Sequence, residues 1–180
     1  MKKKVLWDWN EELSNEKIIE LEKLWNIKFP KEYREIIKAH HRASVELEID
    51  GIRYIHCGID IPKWHGGRAG VRLLDYKGYA GIETWSIVWS HEAFKECLPD
   101  PEKIFPFADD GGGNYYFFDY RDDDKEPSIV FIDHEESIEA DELDEDELEE
   151  RTVAEWLEFN LYRVADSFSE FLDKITPDED

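Results

Sequence analysis

Apolar positions recur along this chain with two different periods. Between Ser14 and Asn26, Ile18, Leu21, Leu24 and Trp25 fall three, three and one apart, which predicts a helix with one inward stripe. Ser14 or Asn15 offers a side-chain oxygen to the unpaired N–H groups at its start. Pro30 suits the first position of a second helix, whose inner face is Tyr33, Ile36 and Ile37. Val45, Leu47 and Ile49 then alternate with polar residues, Asp50-Gly51 forms a tight turn, and Ile52, Tyr54 and His56 resume the alternation. That pattern is a β-hairpin. Ile61 to Gly81 reads as glycine-rich loops around a short apolar piece, Val71 to Leu74. Glu83 to Trp89 is a candidate strand, and Ser90 a candidate cap for a short helix through Leu98, stopped by Pro99 and Pro101. Near the C-terminus, Thr152 and Glu155 make a capping box. Trp156, Leu157, Leu161, Val164, Ala165, Phe168, Phe171, Leu172 and Ile175 follow at helical spacing, predicting one closing helix laid on a sheet. The sum is an α+β fold: an antiparallel sheet with helices packed against it, in one domain covering residues 1–180.

The densest apolar stretch is Ile104 to Tyr120, IFPFADDGGGNYYFFDY. Phe105 and Phe107 enter a turn in which Gly111, Gly112 and Gly113 permit positive φ, and Tyr115 to Tyr120 return as a strand buried on both faces. This run resembles the "FPFA–D–GGGN–aromatic–FD" signature of the SUKH superfamily, the yeast cell-wall-synthesis-regulator-like (Smi/Knr) domains. Ile18 to Ile37 is similar to the family's opening helix, Phe-Pro step (Phe29, Pro30) and second helix with an early Tyr (Tyr33). Ser128 to His134 resembles the strand after the hairpin, and Val164 to Leu172 the closing helix. The resemblance implies the same α+β fold. It leaves uncovered a variable segment, about residues 58–89, and an acidic linker, about 135–151. Where the family commonly has an Asn-Gly-Gly-like step, this chain has His40, His41 and Arg42.

Composition narrows the function classes. Lys+Arg number 22 against 45 Asp+Glu, a net charge of −23. Such a chain is a poor ligand for nucleic acid or anionic lipid, since both demand Lys and Arg. It suits a basic protein partner. From Asp133 to Glu150 there are twelve acidic residues and no Lys or Arg, which reads as a solvated linker or frayed helix, or else as an acidic arm. No signal peptide or membrane span is evident, and two cysteines, Cys57 and Cys97, form no disulfide framework. A cytoplasmic protein, monomer or weak homodimer, is expected.

Catalytic chemistry finds little support. The glycine run is followed by a strand pattern with no Lys-Ser/Thr, so it lacks the helix N-terminus of a phosphate loop. His40 and His41 are neighbours, His56 and Cys57 face opposite ways, and His65, His91 and His134 have no ligand partner close in sequence, so no metal is assigned. Asp119 with Asp122, Asp123 and Asp124 could hold calcium, but a solvated turn accounts for them better. Trp64, Trp85 and Trp89 could line a small-molecule site, though core packing explains them more simply. No cofactor and no enzymatic activity are expected.

The resemblance implies a bacterial immunity protein that binds and blocks a polymorphic or contact-dependent toxin, often a nuclease with a basic cleft. The expected contacts are the acidic hairpin rim (Asp109, Asp110, Asp122, Asp123, Asp124) and the acidic arm (Glu142, Asp144, Glu145, Asp146). The alternative is a regulatory or scaffold module like the cell-wall-synthesis regulators.

Overall fold

The computed structural model describes residues 2–76, 86–139 and 141–178. In chain order the elements are β1 (Lys3–Trp7), α1 (Asn15–Trp25), α2 (Lys31–His40), β2 (Val45–Ile49), β3 (Ile52–Tyr54), β4 (Cys57–Asp60), β5 (Arg68–Gly70) and β6 (Arg72–Leu73). There follow α3 (Ile87–Phe94), β7 (Ile104–Asp109), β8 (Tyr115–Asp119), β9 (Ser128–Ile132), α4 (Glu145–Glu150), α5 (Val153–Phe159), β10 (Tyr162–Ala165), α6 (Phe168–Lys174) and β11 (Thr176–Pro177). The α+β expectation holds, with the strands divided among three antiparallel sheets ordered β1-β2-β3, β10-β9-β8-β7-β6 and β11-β4-β5.

The five-stranded sheet is the core, and every residue of β7, β8 and β9 is buried. Successive side chains of β8 point to opposite faces. Tyr116 and Phe118 meet Phe168 and Phe171 of α6 and Tyr33 of α2. On the other face Tyr115 and Phe117 meet Phe94 of α3. Helices therefore cover both faces, which is why the strand reads as an unbroken aromatic run instead of an alternating one. The β2–β3 hairpin forms as expected, with positive φ at Asp50 (51°) and Gly51 (89°), as its two-residue turn requires. β3 stops at Tyr54, leaving His56 beyond it.

Helix α1 is capped by Ser14, whose side chain accepts from Lys17 N–H, and ends at left-handed Asn26. Its inward arc holds Ile18, Leu21 and Trp25, but Leu24 is 64% exposed. At 100° per residue Leu24 lies roughly 60° beyond one edge of that arc and Glu22 roughly 40° beyond the other, on the side that faces the Phe29-Pro30 step. Glu22 is accordingly buried, and it accepts from Phe29 N–H at 3.0 Å, Arg34 at 2.8 Å and Lys28 at 2.9 Å. That carboxylate ties α1 to the Phe29-Pro30 step. Pro30 is the residue just before α2, and Tyr33 and Ile37 are its buried face.

Three expectations need correction. The single closing helix is interrupted: α5 ends at Asn160, Tyr162–Ala165 pair with β9, and Ser167 caps α6 by accepting from Glu170 N–H. The reason is the edge of β9. Without β10 its buried N–H and C=O groups would be left unpaired, a larger loss than the helical turns forgone. Next, Ile87–Trp89 are helical, not extended, because the cap is Ser86, which accepts from Trp89 N–H, and not Ser90. Residues 83–85 of that candidate strand, Trp85 among them, lie outside the described residues. Finally, Ile61 to Tyr76 is less loop-like than its glycines imply, since β5 pairs with β4 and β6 joins β7, while residues 77–81 of that stretch lie outside the described residues. At the divergent step after α2, His41 is fully buried 3.6 Å from both Glu11 and Asp75, and Arg42 adopts φ 66° where the resemblance expects glycine.

Candidate functional site

The glycine turn between β7 and β8 is organised by its two aspartates. Asp110 Oδ1 accepts from Gly112 N–H (2.7 Å) and Asn114 N–H (3.1 Å), and its Oδ2 accepts from the Asn114 amide (2.7 Å). Gly111 and Gly113 sit at φ 80° and 110°, where a Cβ would be strained. At Gly113 a Cβ would also come within 3.0 Å of the His134 ring. Asn114 Oδ1 in turn accepts from His134 N–H at 3.0 Å, so the turn is pinned to the residue that opens the acidic stretch. Asp109 is only 7% exposed and receives both Nε and Nη2 of Arg72, at 2.9 and 3.0 Å. Burial pushes its carboxyl pKa up, opposed by Arg72 and by Gly111 N–H. Asp109 therefore points its oxygens into the fold, and Asp110 turns its own onto the glycine turn.

Asp122, Asp123 and Asp124 are all exposed in the β8–β9 turn. Asp123 accepts from Lys125 and Glu126 N–H groups, which holds its carboxyl below the usual range. Asp124 meets Lys103 at 2.7 Å with 79% of its side chain exposed, a pair that adds little to stability. Asp119 is buried and takes Arg121, which also reaches Glu158 at 2.6 Å. These two partners raise the Arg121 pKa further above its ordinary value. Among the described residues the four aspartates considered for calcium do not converge.

The nine expected contacts thus form three groups. Asp109 and Asp110 lie at one end of β8 and Asp122–Asp124 at the other, separated by a five-residue strand of about 14 Å. The acidic arm starts at the Asn114 end, because Ile132 pairs with Tyr115. Its continuation in α5 reaches the opposite end, where Glu158 meets Arg121. Glu142, Asp144, Glu145 and Asp146 are all exposed, and α4 has no buried residue. Asp144 caps α4 in a reciprocal box with Glu147, and negative residues in a first helical turn favour the helix dipole. The arm is held at its far end by the Trp156 indole, which donates to the Glu147 carbonyl at 2.9 Å. The Arg151 guanidinium there lies 4.5 Å from the centroids of both Trp156 and Phe159.

Cys57 and Cys97 are buried free thiols whose pKa burial raises, which disfavours the reactive thiolate. Trp64 packs on Phe131 at 4.9 Å and Trp89 is 36% exposed. His65, distant in sequence from Asp133 and Glu136, brings its ligand atom within 4.8 Å of theirs. Spacing could not reveal that group, nor the Arg72–Asp109 pair, which spans 37 residues. Among the described residues no helix is long and apolar enough to cross a membrane.

A search of characterised proteins returns no significant match. The model of the SMI1 / KNR4 family (SUKH-1) matches residues 12–174, from the approach to α1 through the last residue of α6. The chain belongs to the SMI1 / KNR4 (SUKH-1) family.

Proposed function

We propose that the protein is a non-catalytic immunity protein that binds and neutralises a basic toxin domain, with a nuclease as the favoured partner. Family membership supports the class of function, since the SUKH resemblance implies toxin immunity in bacteria. The observation that carries the choice of partner is the exposed acidic arm, with α4 wholly outside the core and a chain net charge of −23. Nuclease clefts present Lys and Arg to phosphates. A surface of fixed carboxylates competes for those same cations, with fast electrostatic capture and charge-assisted hydrogen bonds once docked.

In this reading Glu142, Asp144, Glu145 and Asp146 make the contacts, joined by Asp122, Asp123 and Asp124. Asp109 and Asp110 shape the turn that anchors the arm's root. The test is inhibition of the toxin domain encoded beside this gene. One equivalent of the protein should abolish its nuclease activity, and Glu145→Lys with Asp146→Lys should weaken inhibition tenfold or more. Unchanged inhibition by that double variant would remove the arm from the interface. No inhibition of any neighbouring product would favour a regulatory module.

A further inference from the structure

We propose that His65, Asp133 and Glu136 form a binding site for one first-row divalent cation, best matched by Zn²⁺. The inference stands apart from the toxin reading. Asp133 directly follows β9, and the turn after it is closed by Glu136 N–H donating to the Asp133 carbonyl at 3.2 Å. His65 comes from the β4–β5 loop, a different sheet, yet its Nδ1 lies 3.1 Å from Glu136 Oε1. The three ligand atoms lie within 4.8 Å of one another. Bonds of about 2.0–2.2 Å to Zn²⁺ require ligand edges of roughly 3–3.6 Å, so small side-chain adjustments suffice.

Several features distinguish this group from a casual His–Glu pair. Each carboxylate is oriented from behind by a donor that is not itself a ligand. The Trp64 indole donates to Asp133 Oδ2 at 2.8 Å, and the Tyr162 hydroxyl to Glu136 Oε2 at 2.5 Å. Donors that hydrogen-bond the ligands from behind in this way fix their orientation toward a metal ion. Asp133 is only 4% exposed, so one ligand is held rigidly within the fold. The His65 loop is also constrained: Trp64 packs on Phe131, and a Cβ on Gly66 would lie 2.3 Å from the Trp64 ring. With side chains of His65 and Glu136 66% and 38% exposed, water can complete the coordination sphere.

The donor set decides the ion. One imidazole with two carboxylates favours Zn²⁺, Mn²⁺ or Fe²⁺ over Mg²⁺ and Ca²⁺, which take oxygen ligands. Such an ion would join the β4–β5 loop to the root of the acidic arm, next to the strand that carries Tyr162.

The experiment is calorimetric titration of the full chain with Zn²⁺, with Mg²⁺ in parallel, alongside thermal unfolding. One tight Zn²⁺ equivalent is expected, unaffected by excess Mg²⁺. Zn²⁺ at one hundred times Kd should raise Tm by roughly 5–10 °C. His65→Ala and, separately, Glu136→Gln should weaken that equivalent tenfold or more and remove the Tm rise, while His56→Ala retains both. Because His65 is exposed, its variant is expected to keep the parent's metal-free Tm, and Glu136→Gln gives an independent reading. Zn²⁺ binding that survives both variants, loss of it in His56→Ala, or no tight equivalent in the parent would overturn the proposal.

Discussion

Replacing Asp110 by alanine separates the two roles that an acidic residue beside the glycine turn can play. Its carboxylate accepts three hydrogen bonds, from Gly112 N–H, Asn114 N–H and the Asn114 side chain. Net worth per hydrogen bond is about 1 kcal/mol, more for a charged acceptor and less where water can replace it. Two of the three bonds are partly buried and one is exposed, so Asp110→Ala should cost about 2–3 kcal/mol. With a urea m-value of about 2 kcal/mol/M, the unfolding midpoint should fall by roughly 1–1.5 M. Asp110→Asn retains an oxygen for the two backbone donors and loses the bond from Asn114 Nδ2, so about 1 kcal/mol is expected. Urea unfolding followed by fluorescence of the seven Trp measures both. Toxin affinity of the folded Asn variant should stay within a few fold of the parent, because the carboxylate faces the loop. An alanine variant within about 0.5 kcal/mol of the parent, or equal losses for Ala and Asn, would refute the scaffold role.

Two further perturbations probe the fold on which the arm is mounted. Glu22→Ala removes the acceptor of buried Phe29 N–H and of Arg34 while Lys28, 72% exposed, adds little. Breaking a buried pair costs about 3–5 kcal/mol, and the 22% exposure of Arg34 sets the expected loss near the low end, about 3 kcal/mol by urea unfolding. A loss below about 1 kcal/mol would contradict the clamp. His91 Nε2–H donates to the Pro101 carbonyl (2.8 Å) beside Trp25 and Phe105, and burial holds its pKa below the ordinary 6.5. The unfolded chain then binds the proton first, so this contribution is complete above pH 6.5 and is lost as pH falls through that value toward the folded pKa. His91→Gln should lose less stability than the parent between about pH 7.5 and pH 5; parallel pH profiles would show that His91 is not the source.

Local signals in the sequence were strong wherever one residue type serves one backbone need. Ser14, the Thr152–Glu155 box, Asp50-Gly51, Gly111 and Gly113 all do what their chemistry indicates, whereas Gly112 does not use its freedom for positive φ. The closing segment misled because Val164, Ala165 and Phe168 fit a helical stripe, while the demand for a partner on the edge of β9 comes from another part of the chain. Glu22 lies at the edge of the inward arc of α1, and its burial becomes favourable only once Arg34 and Phe29 N–H converge on it. Charge at the candidate site was legible as a total and not as a surface. Asp109 and Asp122 look alike in sequence, yet one is locked to Arg72 inside and the other faces water. The divergent step after α2 carried a clue in its missing glycine, which the left-handed backbone of Arg42 now explains as a strained conformation held by its surroundings.

The most direct test of the central claim is calorimetry of this protein with the toxin domain encoded beside its gene, at about 50 and 500 mM salt. The Debye length falls from roughly 14 to 4 Å over that range, so contacts made by exposed carboxylates should be strongly screened. The account predicts one-to-one binding that weakens at least tenfold at the higher salt, with a further loss for Glu145→Lys and Asp146→Lys at the lower. Binding of equal strength at both concentrations would contradict an acidic interface, and no binding at either would contradict the immunity function itself.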